Sequence, residues 1–214
     1  MSQLIPLIQT LGPRITIPSI FLGPKVVQQV KENRVSEAAK TVAFSFFIVT
    51  AVVLFFKGDF LLSSIPAIAA TSYYYLLKDP SKPIYRYLDW VLTTPLMLIA
   101  LLTANSATLS TKVGIVLADI IMIACGYKGI ISTDKKEQNI WFWLGMIAFF
   151  PIIYVLWNLK EHRNAVLLTL IMWCLYPIVW YAKEQNLFDS TVETVSYATM
   201  DVIAKVGLVT LLKL

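Results

Sequence analysis

Apolar runs of about twenty residues, cut by short polar breaks, organise the chain beyond residue 34. The breaks are Lys57-Gly58-Asp59, Lys78-Asp79-Pro80, Asn105-Ser106, Ser132-Thr133-Asp134-Lys135-Lys136 and Lys160-Glu161-His162-Arg163-Asn164. The pattern predicts seven helices: α1 over 35–56, α2 over 60–77, α3 over 83–104, α4 over 109–131, α5 over 138–159, α6 over 165–183 and α7 over 189–213. Each is long enough for a bilayer core about 30 Å thick. Pro66, Pro95, Pro151 and Pro177 fall inside these runs, where neighbouring helices can re-satisfy the freed carbonyl. Residues 1–34 carry four of the ten prolines and read as a separate irregular or interfacial arm. The arm lacks a basic n-region and an unbroken apolar stretch, so it does not read as a secretory signal. No internal repeat is evident, and 35–214 is expected to be one domain.

Composition narrows the class. Hydrophobic residues make up 57% of the chain and charged residues 14%, with a mean hydropathy of +0.70. Soluble domains have about 45–50% apolar and about 25% charged residues. Seven spans use roughly 150 residues, and the connections left between them are too short for a soluble domain. The expectation is an all-α, multi-pass integral membrane protein whose solvent is the lipid bilayer. A disordered chain is too polar to match, and the +5 charge is too thinly spread for a nucleic-acid partner. Cys125 and Cys174 lie in apolar runs and His162 is the only histidine, so no metal site or histidine-based triad is expected.

Five ionisable residues stand where hydrocarbon should be: Arg86, Asp89, Asp119, Asp201 and Lys205. A charge at that depth is costly and marks function by default. Arg86 and Asp89 are spaced i, i+3. Asp201 and Lys205 are spaced i, i+4, on one face. One reading is a structural ion-pair cluster that fixes helix packing. The sharper reading is lysine chemistry. A desolvated lysine is nucleophilic and forms a Schiff base with an aldehyde, and the protonated base needs carboxylate counterions. Trp173, Tyr176 and Trp180 recur at i, i+3, i+7. Such a stripe packs a core or faces lipid in most helices. Beside a buried lysine and two carboxylates it can hold a flat ligand.

Three motifs carry a family resemblance. Tyr85-Arg86-Tyr87-Leu88-Asp89-Trp90-Val91-Leu92-Thr93-Thr94-Pro95-Leu96 resembles the third-helix signature of the microbial (type 1) rhodopsins. Asp201-Val202-Ile203-Ala204-Lys205-Val206-Gly207 resembles their retinal-attachment signature, and Trp173-Cys174-Leu175-Tyr176-Pro177-Ile178-Val179-Trp180 their sixth-helix pocket. The resemblance covers about 35–213. It implies a seven-helix bundle around all-trans retinal, bound to Lys205 as a protonated Schiff base. Asp89 would be counterion and proton acceptor, Asp201 the second counterion, and Thr93 the partner of Asp89. Arg86 would respond to Asp89 protonation on the release side. Trp90, Trp173, Tyr176, Pro177 and Trp180 would enclose the polyene. Thr94 and Asp119 match a polar pair joining α3 and α4, with Asp119 protonated. Met122 and Gly126 match the α4 wall, and Phe142, Gly145 and Phe149 the α5 wall. Tyr73 matches a tyrosine near the counterions. Met97 matches a colour-tuning position, where an apolar residue implies green absorption. Glu193 aligns with a proton-release glutamate; as a bare residue it reads equally well as an acid at a helix N-terminus.

Departures from the family pattern bear on activity. Ala100 stands where outward pumps commonly carry a carboxylate donor, so acceptor chemistry is intact and the usual donor is missing. Asp89 argues against sodium and chloride pumps, and Asp201 against xenorhodopsin-type inward pumps. The expectation is light-driven ion translocation rather than catalysis of a substrate reaction, most simply a proton pump with slow reprotonation. The alternatives are a light-gated channel or a photosensor, and only the sensor needs a transducer partner. A homotrimer or homopentamer is implied by the resemblance alone. The family orientation gives outward transport, yet it leaves eleven basic residues on the outer segments and five on the inner ones, against the positive-inside rule. An inverted chain would move protons inward.

Overall fold

The computed structural model describes residues 24–213, and every regular element among them is an α-helix. In chain order these are α1 (Pro24–Phe56), α2 (Phe60–Lys78), α3 (Ile84–Ala104), α4 (Leu109–Ile131), α5 (Lys135–Trp157), α6 (Arg163–Glu184) and α7 (Ser190–Leu211). All seven are long and apolar enough to cross a membrane. Side chains such as Val49, Ile121, Ile147 and Ile178 cover the outside, as expected where the solvent is lipid.

Short connections make sequential helices antiparallel neighbours. Each packs on the next, and α7 packs on both α6 and α1, which closes the ring. The starts of α1, α3, α5 and α7 therefore share one end with Arg86, here termed the Arg86 face. The opposite end is the Ala100 face. Local chemistry sets the breaks. Gly58 (φ 76°) turns the chain between α1 and α2, where a left-handed backbone suits a residue without Cβ. Asp189 caps α7, its carboxylate accepting from the Thr191 and Val192 amides at 2.8 and 2.9 Å. An ion pair joins Lys213 to Asp59 at the Ala100 face. Lys135 and Glu184 pair at 2.9 Å on the Arg86 face.

Two helix starts differ from the sequence expectation by three residues or more. Residues 24–34 were expected in the arm, but they are helical and extend α1 by about 16 Å. Residues 1–23 of the arm lie outside the described residues. Helix α5 starts at Lys135, three residues before the expected 138, because the Asp134 carboxylate caps it by accepting from the Lys136 amide at 3.2 Å. In both places the helix runs past the apolar stretch that betrays it.

Candidate functional site

Lys205 lies mid-helix on the inner face of α7, 1% exposed. One turn earlier, Asp201 shares that face. Asp89 comes from α3, whose inner stripe of Asp89, Thr93, Met97 and Ala100 follows helical spacing. The ring brings these helices within reach: Lys205 Nζ donates to Asp89 Oδ2 at 2.5 Å and to Asp201 Oδ1 at 3.2 Å. The buried lysine nitrogen thus lies between two buried carboxylates, which outnumber it in charge.

The two carboxylates are held differently. Asp201 also accepts from Tyr73 Oη at 2.8 Å, Tyr176 Oη at 2.7 Å and Trp90 Nε1 at 3.2 Å. Three neutral donors from α2, α6 and α3 thus hold its carboxylate in place. Asp89 accepts only from Lys205 and from the Thr93 hydroxyl, which lies 3.2 Å from Oδ1 and shares its proton with the Asp89 carbonyl at 2.8 Å. Asp89 is the less satisfied carboxylate and makes the shorter contact with the nitrogen.

From Lys205 an apolar cavity runs toward α4 and α5. Its walls are Trp90, Thr94 and Met97 from α3, Met122 and Gly126 from α4, and Phe142, Gly145 and Phe149 from α5. Trp173, Tyr176, Pro177 and Trp180 add the α6 wall, and Asp201 and Lys205 the α7 end. Tyr73 and Asp119 do not line it. Tyr73 reaches Asp201 from α2. Asp119 lies behind Thr94, whose hydroxyl is 2.7 Å from Asp119 Oδ2 and 2.7 Å from the Trp90 carbonyl. The Thr94 hydroxyl donates to Asp119 Oδ2 and so ties α3 to α4. Asp119 Oδ1 has no hydrogen-bond partner among the described residues.

The cavity also takes Tyr87, Ile123, Trp141, Met146, Tyr197 and Ala204, which sequence reasoning did not single out. Tyr87 and Tyr197 sit one helical turn from Trp90 and Asp201, and that spacing was the available signal. Phe47 of α1 was missed as well; its ring centroid lies 5.6 Å from Lys205 Nζ.

These residues fit a retinal-like polyene aldehyde. A lysine closes one end of an otherwise apolar cavity, and aromatic faces flank it. Two glycines keep its walls thin: a Cβ at Gly126 would meet Tyr87 Cε1 at 3.2 Å, and one at Gly145 would meet Cys125 Cβ at 3.4 Å.

Toward the Arg86 face, Arg86 pairs with Glu193 at 3.1 Å and stacks on the Tyr197 ring at 4.3 Å. Arg86 is partly exposed, so it borders the interior rather than lying within it. Lys40 is instead the fifth buried charge, with Asp89, Asp119, Asp201 and Lys205. Toward the Ala100 face the interior is mostly apolar, with the Ser63 and Thr169 hydroxyls its buried polar groups. Ala100 belongs to the buried cluster that also holds Leu62, Ile65, Leu98, Leu101, Val166 and Leu208, and among the described residues none buried at that end is acidic. Among the described residues no group of three or more His, Cys, Asp and Glu side chains could hold a metal ion.

Comparison with known proteins places this geometry. The model of the family described as bacteriorhodopsin-like protein matches residues 26–213. Bacteriorhodopsin of Halobacterium salinarum is 32% identical over 173 residues, covering 67% of this chain and 65% of its own length. The opsin-like protein carO of Fusarium fujikuroi is 35% identical over 134 residues, covering 56% of this chain and 43% of its own length. The chain thus spans about half to two thirds of these relatives. Among solved structures, a cyanorhodopsin from Calothrix superposes with a TM-score of 0.79 at 22% identity, covering 84% of this chain and 93% of that one. The Coccomyxa subellipsoidea rhodopsin, described as a light-driven proton pump, gives 0.75 at 25% identity over 83% and 95%. With the family model matched along the whole helical bundle, the chain belongs to the bacteriorhodopsin-like microbial rhodopsins, the family whose chromophore is retinal.

Proposed function

We propose that the protein is a light-driven proton pump that moves protons toward its Arg86 face. The observation that carries the reading is the Lys205 nitrogen, 2.5 Å from one carboxylate and 3.2 Å from a second, at the end of an apolar cavity. All-trans retinal, joined covalently to Lys205, would supply a light-driven change in the direction and proton affinity of that nitrogen. Asp89 takes the proton, being the nearer and less hydrogen-bonded carboxylate. Asp201 stays charged under its three neutral donors and keeps the site polarised. Thr93 holds the Asp89 carboxyl toward the nitrogen. When Asp89 becomes neutral, Arg86 loses part of its attraction inward, and its pairing with Glu193 strengthens. That shift favours proton release at the Arg86 face, with Glu193 as a member of the release group.

Reprotonation comes from the Ala100 face. The apolar packing there supports slow uptake from bulk water, because the acids described at that end, Asp59 and Glu161, lie in the breaks between helices. The same packing favours a second reading, a photosensor or light-gated channel that uses a long-lived deprotonated state. Either way the chemistry is ion translocation or signalling, not turnover of a substrate. The family orientation makes transport outward, and a homotrimer or homopentamer is the expected assembly. In vesicles of known orientation, illumination should change internal pH and a protonophore should abolish the change. Light-gated dissipation of an imposed gradient, with no gradient built from rest, would instead favour the channel.

A further inference from the structure

Lys40 is a buried cation that the proposed pump does not use. It is 5% exposed, on the α1 face that also carries Ala43 and Phe47. Its Nζ donates to the Leu76 carbonyl at 3.2 Å. That carbonyl sits in the last turn of α2, and its helical partner would be the amide of residue 80. Residue 80 is proline and has no N–H, so Lys40 fills a vacancy that the sequence creates. The negative end of the α2 dipole also lies there and favours a cation.

Filling a vacant carbonyl does not require charge, since any donor would do. Yet Lys40 has no salt-bridge carboxylate among the described residues. The charges that act on it most are Glu37, one turn earlier on α1, and Arg86 from α3. In the buried cluster on that α1 face α2 contributes Tyr73, and Arg86 carries Glu193 and Tyr197 of α7 with it. Phe47 lies seven residues further on, about 10 Å along the axis, with its ring 5.6 Å from Lys205 Nζ and 5.4 Å from the Tyr73 ring. The Lys40 ammonium is therefore roughly 10–15 Å from the counterion pair, across protein rather than water.

We propose that Lys40 is a positioning residue of the proton-transfer site: a second fixed positive charge beside Arg86 that holds Asp89 ionised in the resting protein and directs Arg86 toward Glu193. The inference rests on Asp89 being the acceptor. Lys40 acts through the field it imposes on Asp89 and Arg86 and touches no transferred proton.

Visible absorption of the retinal-loaded protein tests it. Protonating a counterion shifts the band, so an acid titration gives a midpoint for Asp89. Asp89→Asn must abolish the transition; if it persists, the acceptor assignment fails and this inference with it. Given that control, Lys40→Gln keeps a donor for Leu76 and removes the charge. It should raise the midpoint by about one pH unit, the effect of one charge at this distance in a medium of intermediate dielectric. Lys40→Arg should restore the wild-type midpoint. A Gln variant that folds, binds retinal and titrates like wild type, or a lowered midpoint, overturns the role and leaves a helix-end cap. If Gln does not fold, Glu37→Gln decides the matter: it removes the carboxylate one turn from Lys40, leaves the bond to Leu76 in place, and should lower the Asp89 midpoint. An unchanged or raised midpoint overturns the role.

Discussion

Removing or adding a proton donor on the Ala100 face gives the sharpest quantitative test of the transport path. Ala100 is eleven residues beyond Asp89 on α3, about 16 Å along the helix axis. It belongs to the buried cluster that also holds Leu62, Ile65, Leu98, Leu101 and Leu208. With no buried acid described there, the deprotonated Lys205 nitrogen must take its proton from bulk water. Its recovery is then first order in proton concentration and slows about tenfold per pH unit. An encounter rate constant on the order of 10⁹–10¹⁰ M⁻¹s⁻¹ gives, at pH 7, a ceiling of roughly 10²–10³ s⁻¹. The apolar layer lowers it further. Ala100→Asp places a carboxyl in that layer, where burial favours the neutral, proton-carrying form. The variant should recover faster and lose most of its pH dependence between pH 6 and 9, by roughly 10²-fold at the alkaline end, as for a positioned acid. Flash photolysis of the visible band reads the recovery directly. Wild-type recovery that is flat across this range would refute the reasoning, because it would require an internal donor.

Further outcomes follow from the same geometry. Azide, a small mobile acid–base pair, should accelerate recovery in the wild type and have little effect on Ala100→Asp; unchanged wild-type decay contradicts a missing donor. Lys205→Ala should remain colourless after incubation with all-trans retinal, and a visible band in that variant would refute attachment there. Gly207→Val should weaken the α6–α7 contact, because even a Cβ at Gly207 would come 2.5 Å from Leu168 Cδ2. Overpacking of this kind costs about 1–3 kcal/mol, and a lower temperature of pigment bleaching would register it. Asp189→Ala removes the cap of two α7 amides and should cost about 1 kcal/mol by the same assay, with an unchanged absorption band.

The helices were legible wherever lipid dictates composition. The ends of α2 and α4 fall within a residue of the sequence expectation because an apolar run and a polar break coincide there. Residues 24–34 were not legible. Lys25, Gln28, Lys31, Glu32 and Arg34 are sound helix formers in water, but a hydropathy pattern stops at the membrane surface. The buried charge cluster was legible because charges inside spans are rare, and Asp89, Asp201 and Lys205 meet in space as their helical spacings suggest. Lys40 was overlooked for the opposite reason. It stands beside Glu37 at the polar edge of an apolar run, where a lysine looks exposed, and its burial depends on where α2 ends. Phe47, Tyr87 and Tyr197 were hidden for a related reason: aromatic residues are common in spans, and only the ring closure reveals which ones face Lys205.

The central claim is active proton movement toward the Arg86 face, driven by light through the Lys205–Asp89 pair. Voltage-clamp photocurrent, with membrane orientation fixed by an epitope on a known terminus, tests it most directly. The account predicts a current at zero applied voltage and zero proton gradient, directed toward the Arg86 face and lost in Asp89→Asn. A current that vanishes without a gradient and reverses at the equilibrium potential of the permeant ion would contradict it.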